Sequence, residues 1–176
     1  MKAKPAPRQV FAQHIFSAKP QIDKIYPPFN SRQCKLYENH FGSVLAVSKS
    51  PFNERLFLTC STDGTIRLYD IIEKRPVAVF EPSHGETVNC VAWSLQRPAV
   101  FACTSASGNL FFYDLVLSQK NPSLTIEMDD FNTTPANLRE ATSIMFNPVE
   151  CEILAVAYHD QTVRVFQLSA QLTTKT

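Results

Sequence analysis

The chain has 176 residues, a formal net charge of +1, 44% hydrophobic residues and 19% charged residues. This length and apolar content suffice for one domain with a real core, and the near-neutral charge gives no electrostatic reason to expect nucleic acid or an anionic membrane as a partner. No apolar run approaches the roughly 20 residues of a membrane span, and the opening MKAKPAPRQV lacks the apolar stretch of a secretory signal.

The cysteines and glycines narrow the class of protein. Five cysteines form no C-x-x-C pair, which predicts reduced, largely buried thiols in a cytosolic protein. Gly64 and Gly108 each sit in a polar tight turn, where a positive φ is needed, and Gly42 and Gly85 each precede a predicted strand. The cysteines are Cys34, Cys60, Cys90, Cys103 and Cys151.

The first part of the chain is irregular. Residues 1–8 are predicted to be disordered. Residues 9–37 are predicted to be a linker or the outer strands of an incomplete unit, through QVFAQHIF and QCKLYEN, with PPFN breaking the pattern between them.

Two complete units of four short strands follow, over residues 38–82 and 83–128. The first opens with an alternating run, continues with the apolar run LFLTC, and then has the turn STDG before a strand ending in Tyr-Asp. The strands of the first unit are predicted at 44–48, 56–60, 65–69 and 77–80, and those of the second at 88–93, 99–104, 110–113 and 124–128.

A third unit completes the pattern. Residues 129–140 form a polar loop by composition, residues 141–170 contain three clear strands, and residues 171–176 form a polar tail. The turns are expected at 62–65, 106–109 and 159–161. Gly64 and Gly108 lie 44 positions apart, so the chain is a repeat with no sustained helical periodicity.

Strand quartets of this length, with a tight turn before an aromatic-Asp pair, resemble the blades of WD40 propellers. The resemblance implies an all-β fold, namely a partial WD40 β-propeller of about three blades plus part of a preceding one. The family's Trp-Asp position holds Tyr69-Asp70, Tyr113-Asp114 and Phe166-Gln167.

The chain further resembles the dynein intermediate chains, most closely their ciliary (dynein-2) branch, over roughly residues 35 to 170. The residues that carry this resemblance are Ser50-Pro51-Phe52, Trp93-Ser94, Arg97-Pro98 with Val100-Phe101, Tyr113-Asp114-Leu115 and the ending VRVFQLS. Three units are fewer than the usual ring, which predicts a C-terminal fragment or a truncated gene product with two unpaired blade flanks.

The resemblance implies a non-catalytic scaffold subunit of a dynein motor complex. Its propeller is expected to bind the dynein heavy chain for retrograde intraflagellar transport and cilium assembly. Further expected partners are other intermediate and light chains, through regions mostly absent here, and the expected locations are cytoplasm, cytoskeleton and cilium. The alternatives are a generic WD40 adaptor with a peptide-binding surface, and an axonemal or cytoplasmic dynein-1 intermediate chain.

Few residues of the sequence suggest catalysis or the binding of a metal or cofactor. His40, Ser61 and Asp63 contain the atoms of a hydrolase triad, but their turn positions favour a network that braces the blade, as in the WD40 family. Gly64, Gly108 and Asp160 are likewise expected to be structural residues of the tight turns. The histidine and glycine spacings match no metal site or phosphate loop, so we expect no enzyme activity, cofactor or metal.

Partner contact is assigned instead to two loops. His84 and Glu86 lie where the chain crosses between units, and Arg97-Pro98 lies between the first two strands of the second unit. The competing interpretation of each is a solvated turn. Five residues are predicted to be core positions: Leu58, Val91, Phe101, Ala155 and Val165.

Overall fold

The computed structural model describes residues 35–128, 140–150 and 152–169. These residues form eleven strands and contain no helix, so this part of the chain holds no helical segment able to cross a membrane. The strands are β1 (Val44–Lys49), β2 (Leu56–Ser61), β3 (Ile66–Asp70), β4 (Ala78–Phe80), β5 (Val88–Trp93), β6 (Val100–Ser105), β7 (Leu110–Asp114), β8 (Leu124–Ile126), β9 (Ala141–Phe146), β10 (Ile153–Tyr158) and β11 (Val163–Gln167).

The strands make three antiparallel sheets, one for each repeat unit. Sheet 1 has the order β1-β2-β3-β4, sheet 2 the order β5-β6-β7-β8, and sheet 3 the order β9-β10-β11. β1 lies against β5 and β5 against β9, so the first strands of the units are neighbours. The expectation of an all-β fold, consistent with a partial propeller, is confirmed.

The pairing register repeats from sheet to sheet. Leu58 pairs with Leu68, Ala102 with Phe112 and Ala155 with Val165, each between the second and third strands of its sheet. Because side chains alternate across a strand, equivalent residues of each sheet point to the same side. Each sheet therefore has one face toward the preceding unit and one toward the following unit.

Apolar side chains fill the two spaces between the sheets. Leu58, Phe80 and Trp93 belong to the cluster between sheets 1 and 2. Phe112 and Leu154 belong to the cluster between sheets 2 and 3. Sheet 2 is consequently covered on both sides, and every residue of β6 and β7 is buried.

Three of the five predicted core residues lie in these clusters, and two do not. Leu58, Val91 and Phe101 are buried as expected. Ala155 is only half-buried, and Val165 is 65% exposed. Their equivalents in sheet 2 are buried by sheet 3, but no sheet in the described ranges follows sheet 3.

The thiols within the described residues are reduced. Cys60, Cys90 and Cys103 are free and buried. Burial raises the pKa of the Cys60 thiol to about 12. Burial likewise raises the pKa of Cys90 and of Cys103. The predictions for residues 1–34, for most of the 129–140 loop and for the tail lie outside the described residues.

Candidate interaction surface

Each sheet has two ends with different roles. The hairpin rim is the end that carries the turns at residues 62–65, 106–109 and 159–161, together with the segments 40–43 and 81–87 that lead into β1 and β5. The turn rim is the opposite end, which carries the connections between the first and second strands of each sheet. The predicted site residues are divided between these rims.

The first and third hairpin turns share one hydrogen-bonding arrangement. Asp63 Oδ1 accepts hydrogen bonds from the Thr65 amide at 2.9 Å and the Thr65 hydroxyl at 2.7 Å. Asp160 Oδ1 accepts the same two bonds from Thr162, at 2.9 and 2.5 Å. Ser61 Oγ accepts a bond from the Asp63 amide at 3.2 Å. Short polar side chains therefore satisfy the turn backbone, as such residues commonly do.

Backbone conformation explains the glycines in these turns. Gly64 has φ 79° and Gly108 has φ 85°, in the left-handed region that L residues avoid. A Cβ atom at Gly64 would lie 2.9 Å from the Glu86 carbonyl oxygen, so the turn also packs tightly on the segment leading into β5. The third turn places Gln161 in the same region, at φ 66°.

His40 connects the segment before β1 to the first hairpin. Its Nδ1 lies 3.0 Å from Asp63 Oδ2, and its Nε2 lies 2.7 Å from Thr59 Oγ1. In the neutral ring, Nδ1–H donates to the carboxylate and Nε2 accepts from the threonine hydroxyl. The Phe41 amide donates to the same carboxylate at 2.9 Å. The network thus holds the incoming chain on sheet 1.

The electrostatics of this network favour a neutral histidine beside an ionised aspartate. Burial lowers the pKa of His40, and Arg67 adds to that effect, although the hydrogen bond and charge of Asp63 oppose it. Burial acts to raise the pKa of Asp63, but hydrogen bonds from Thr65, Phe41 and His40 outweigh it and lower that pKa. Both shifts come from packing and hydrogen bonding.

The arrangement does not assemble a hydrolase triad. The ring nitrogens of His40 are engaged by Asp63, Thr65 and Thr59, while Ser61 Oγ serves the backbone of its own turn. A nucleophile would need to bond to the base. Across the described ranges, no group of three or more His, Cys, Asp or Glu side chains is placed to hold a metal ion.

His84 and Glu86 lie on the hairpin rim and are exposed. Glu86 Oε2 accepts a hydrogen bond from the Ser107 hydroxyl at 2.9 Å, so the segment leading into β5 touches the second hairpin. Thr87 of that segment also donates to the Thr62 carbonyl of the first hairpin at 3.4 Å. The segment that carries both residues is thereby held between two blades, and both side chains are exposed.

Arg97 and Pro98 lie on the turn rim, at the other end of sheet 2 from His84 and Glu86. The two loops predicted to contact a partner therefore lie at opposite ends of sheet 2 and do not form one surface. Arg97 is also only 8% exposed, and its guanidinium lies 2.9 Å from Asp114 Oδ2. The expectation that Arg97 is a surface residue fails because its charge is matched by a buried carboxylate.

A similar ion pair on sheet 1 was not anticipated from the sequence. The Arg55 Nε donates to Asp70 Oδ1 at 3.0 Å, and its Nη2 lies 2.5 Å from Asp70 Oδ2. Asp70 and Asp114 both end the third strand of their sheets. The sequence did contain a signal for this pair: Arg55 lies just before β2, and Asp70 follows the aromatic Tyr69 in β3. The pairing of β2 with β3 brings these two positions together.

Comparison with known proteins bears on this geometry. The family described as "WD domain, G-beta repeat" matches residues 31–70 and 74–114. Cytoplasmic dynein 2 intermediate chain 2 of Mus musculus is 34% identical over 137 residues, which are 78% of this chain and 24% of that protein. The chain carries WD40 repeats and is similar to dynein intermediate chains. The resemblance inferred from the sequence is confirmed.

Other dynein intermediate chains match shorter stretches of the WD40 repeats. Dynein axonemal intermediate chain 2 of Mus musculus is 33% identical over 113 residues, 64% of this chain and 17% of that protein. Cytoplasmic dynein 1 intermediate chain of Drosophila melanogaster is 35% identical over 97 residues, 52% of this chain and 14% of that protein. The chain spans about a quarter of the length of the dynein-2 relative, at 24%.

Proposed function

We propose that this chain is a non-catalytic scaffold subunit of a dynein complex. In this role its WD40 blades bind the dynein heavy chain and support retrograde intraflagellar transport and cilium assembly, in the cytoplasm, on the cytoskeleton and in the cilium. The observation that carries the proposal is the 34% identity to a dynein-2 intermediate chain over 78% of the chain. Other intermediate chains and light chains are proposed as further members of the same assembly.

The organisation of the blades supports a binding role. Backbone groups are paired within each sheet, which leaves loops at the rims free to vary and to contact partners. The side chains that most resemble a catalytic triad are His40, Ser61 and Asp63. They form hydrogen bonds that brace the first blade. Net charge near zero leaves shape and apolar contact as the main source of affinity.

The hairpin rim around His84 and Glu86 is the proposed heavy-chain contact. Both side chains are exposed and stand on a segment anchored to two hairpins. A contact held by such a rigid support loses less conformational entropy on binding. Arg97 is excluded from the proposal because its replacement would leave Asp114 buried without its cation.

Affinity purification of the tagged chain from ciliated cells tests the proposal. Wild type should recover dynein heavy chain, identified by mass spectrometry, and His84→Glu with Glu86→Lys should reduce that recovery. Lys120→Glu is the matched control, because Lys120 is exposed on the turn rim of the same sheet. Absence of heavy chain from the wild-type sample would refute the dynein role, whereas full recovery by the double variant would refute only the hairpin-rim contact.

A further inference from the structure

Sheet 3 presents an apolar face that no other sheet of the described residues covers, which we call the trailing face: Met145, Ala155, Val163 and Val165. Met145 is 66% exposed, and Val163 and Val165 are each 65% exposed. The equivalent positions of sheet 2 belong to the cluster that packs against sheet 3: Ala92, Ala102, Leu110 and Phe112. The trailing face therefore has apolar residues at the same positions as the face of sheet 2 that packs on sheet 3.

Sheet 1 has the complementary face, which we call the leading face: Val47, Lys49, Phe57 and Tyr69. The equivalent residues of sheet 2 all pack against sheet 1: Val91, Trp93, Phe101 and Tyr113. Val47 is 65% exposed, and Lys49 is exposed at the position that Trp93 fills in sheet 2. The leading face is thus equivalent to a surface that packs between two blades, but no preceding sheet covers it among the described residues.

Tyr37, in the segment before β1, covers one part of the leading face. Tyr37 packs edge-on against Phe57 and Tyr69, with ring centroids 5.2 and 5.4 Å apart. Phe80, at the end of β4, contacts the equivalent Phe101 edge-on and the equivalent Tyr113 at a tilt, each with ring centroids 5.3 Å apart. Tyr37 therefore stands where the last strand of a preceding blade would put its aromatic side chain. A groove of about 510 Å³ remains on this face.

The two faces carry opposite charges at the turn rim. Glu150 and Glu152 are exposed and line a groove of about 490 Å³ with Val165 of the trailing face. Lys49 is exposed at the turn-rim end of the leading face, and Arg75 is exposed in the neighbouring turn between β3 and β4.

Glu38 lies in the same corner of the leading face. It is already near two cations, with Arg67 at 3.9 Å and Arg75 at 4.0 Å. Glu73 and Lys74 of the β3–β4 turn are exposed and carry opposite charges, and Lys35 donates to the Ile71 and Ile72 carbonyls. Lys49 remains as the cation that projects from the leading face itself.

We propose that two copies of this chain associate through these faces. The trailing face of each copy packs on the leading face of the other, so that six sheets form a closed ring around a two-fold axis. Six blades fall within the range of about 4 to 8 found in propellers. A head-to-tail contact made twice is closed by two-fold rotation, which leaves no apolar flank uncovered.

The features of the faces favour a second copy as the occupant. Both faces belong to one chain, so each copy supplies what the other lacks. The rotation keeps hairpin rim beside hairpin rim and turn rim beside turn rim, which places Glu150 and Glu152 of one copy near Lys49 and Arg75 of the other. Opposite charges at matching positions give the pairing its orientation. The association is independent of the proposed dynein role.

The mass of the purified 176-residue chain in solution is the first test. Light scattering and sedimentation over about 1–100 µM should give twice the 19.8 kDa of one chain. Val165→Asp should give the monomer mass. Leu117→Asp is the matched control, because Leu117 is 72% exposed in the turn after β7, away from both faces, and it should leave the dimer unchanged.

Charge reversal tests the orientation of the pairing. Glu150→Lys with Glu152→Lys, or Lys49→Glu with Arg75→Glu, should each weaken self-association at least about tenfold, because both contacts of the ring become repulsive. An equimolar mixture of the two variants should recover the dimer, since one contact is native and the other has both signs reversed. Far-ultraviolet circular dichroism checks that each variant keeps its sheets.

Several results would overturn the proposal. A wild-type monomer throughout the concentration range would show that another segment of the chain or another protein covers these faces. Open assemblies larger than a dimer would exclude the closed ring. Retention of the dimer by Val165→Asp, or a mixture of the charge variants that stays monomeric, would show that the pairing uses different surfaces.

Discussion

His40 is a single residue whose surroundings decide between chemistry and support. Its side chain is 3% exposed and that of Asp63 is 8% exposed, so the pair is largely closed to solvent. With the ring neutral, both nitrogens are satisfied by Asp63 and Thr59. Protonation would place an extra proton on Nε2, where the Thr59 hydroxyl already donates, and would charge a buried ring.

The lowered pKa of His40 predicts a specific loss of stability in mild acid. Below about pH 6.5 the unfolded chain binds a proton at His40 that the folded chain refuses, so this contribution is complete above that pH and is lost as the pH falls toward the lower folded pKa. One such proton gives a slope of at most about 1.4 kcal/mol per pH unit. Urea unfolding of wild type and His40→Gln between about pH 7.5 and pH 5.5 measures it.

The glutamine variant should be less stable at neutral pH and should show a flatter decline toward acid. His84→Gln is the matched control, because it makes the same substitution at an exposed histidine outside this network. Equal slopes for wild type and His40→Gln would contradict the assignment. Asp63 adds a separate loss below about pH 4, because its folded pKa is also lowered.

The sequence predicted one polar contact, between His40 and Asp63, but not the ion pair of Arg97 with Asp114. The sequence related His40 to Asp63 through the resemblance of the turns to WD40 blades, and the structure brings them together. It did not reveal that Arg97 turns inward, because that depends on the register that puts Val100 opposite Asp114. The charge of Arg97 favoured an exposed position, whereas the buried Asp114 at the end of the neighbouring strand β7 supplied its partner.

The hairpins are the elements that the sequence predicted best. An apolar strand, a short polar turn and a return strand are all local signals, so the turns expected at 62–65, 106–109 and 159–161 all fall between paired strands of the structure. Strand ends differ by only one or two residues for the same reason. The exposure of β11 could not be predicted from local sequence. Val165 occupies the same position in its sheet as Phe112, but only Phe112 is covered by a following sheet among the described residues.

The third hairpin offers a test of backbone strain. Gln161 occupies the left-handed conformation that Gly64 and Gly108 adopt in the first two. Gln161→Gly should raise the free energy of unfolding by about 0.5–1 kcal/mol, because the relief of the left-handed cost exceeds the added entropy of the unfolded chain. Gly64→Ala should lower it by more than about 1 kcal/mol, because the new Cβ meets the Glu86 carbonyl.

Chemical denaturation of these variants decides the point. Gln96→Gly is the matched control, because Gln96 lies in a turn without a positive φ, and it should be neutral or destabilising. A destabilised Gln161→Gly would show that the glutamine side chain contributes more than its backbone conformation costs.

At the scale of the whole molecule, stability should be uneven across the three sheets. Sheet 2 is packed on both faces, and β6 and β7 are buried throughout. Within the described residues β11 pairs only with β10, and its side chains alternate between exposed and half-buried. The free energy that opposes local opening follows the apolar surface that each strand buries.

Hydrogen exchange of the 176-residue chain should reveal this gradient. At the lowest workable concentration, amides in β6 and β7 should exchange at least about 100-fold more slowly than those in β11, a difference of about 2.7 kcal/mol in opening free energy. β2 and β3 should lie between these limits, because sheet 1 is covered by sheet 2 on one face and only in part by the Tyr37 segment on the other. If a second copy covers the trailing face, protection of β10 and β11 should rise with concentration while that of β6 and β7 stays constant. Uniform protection of all strands at low concentration would mean that the three sheets open as one unit, and the gradient argued from their packing would be wrong.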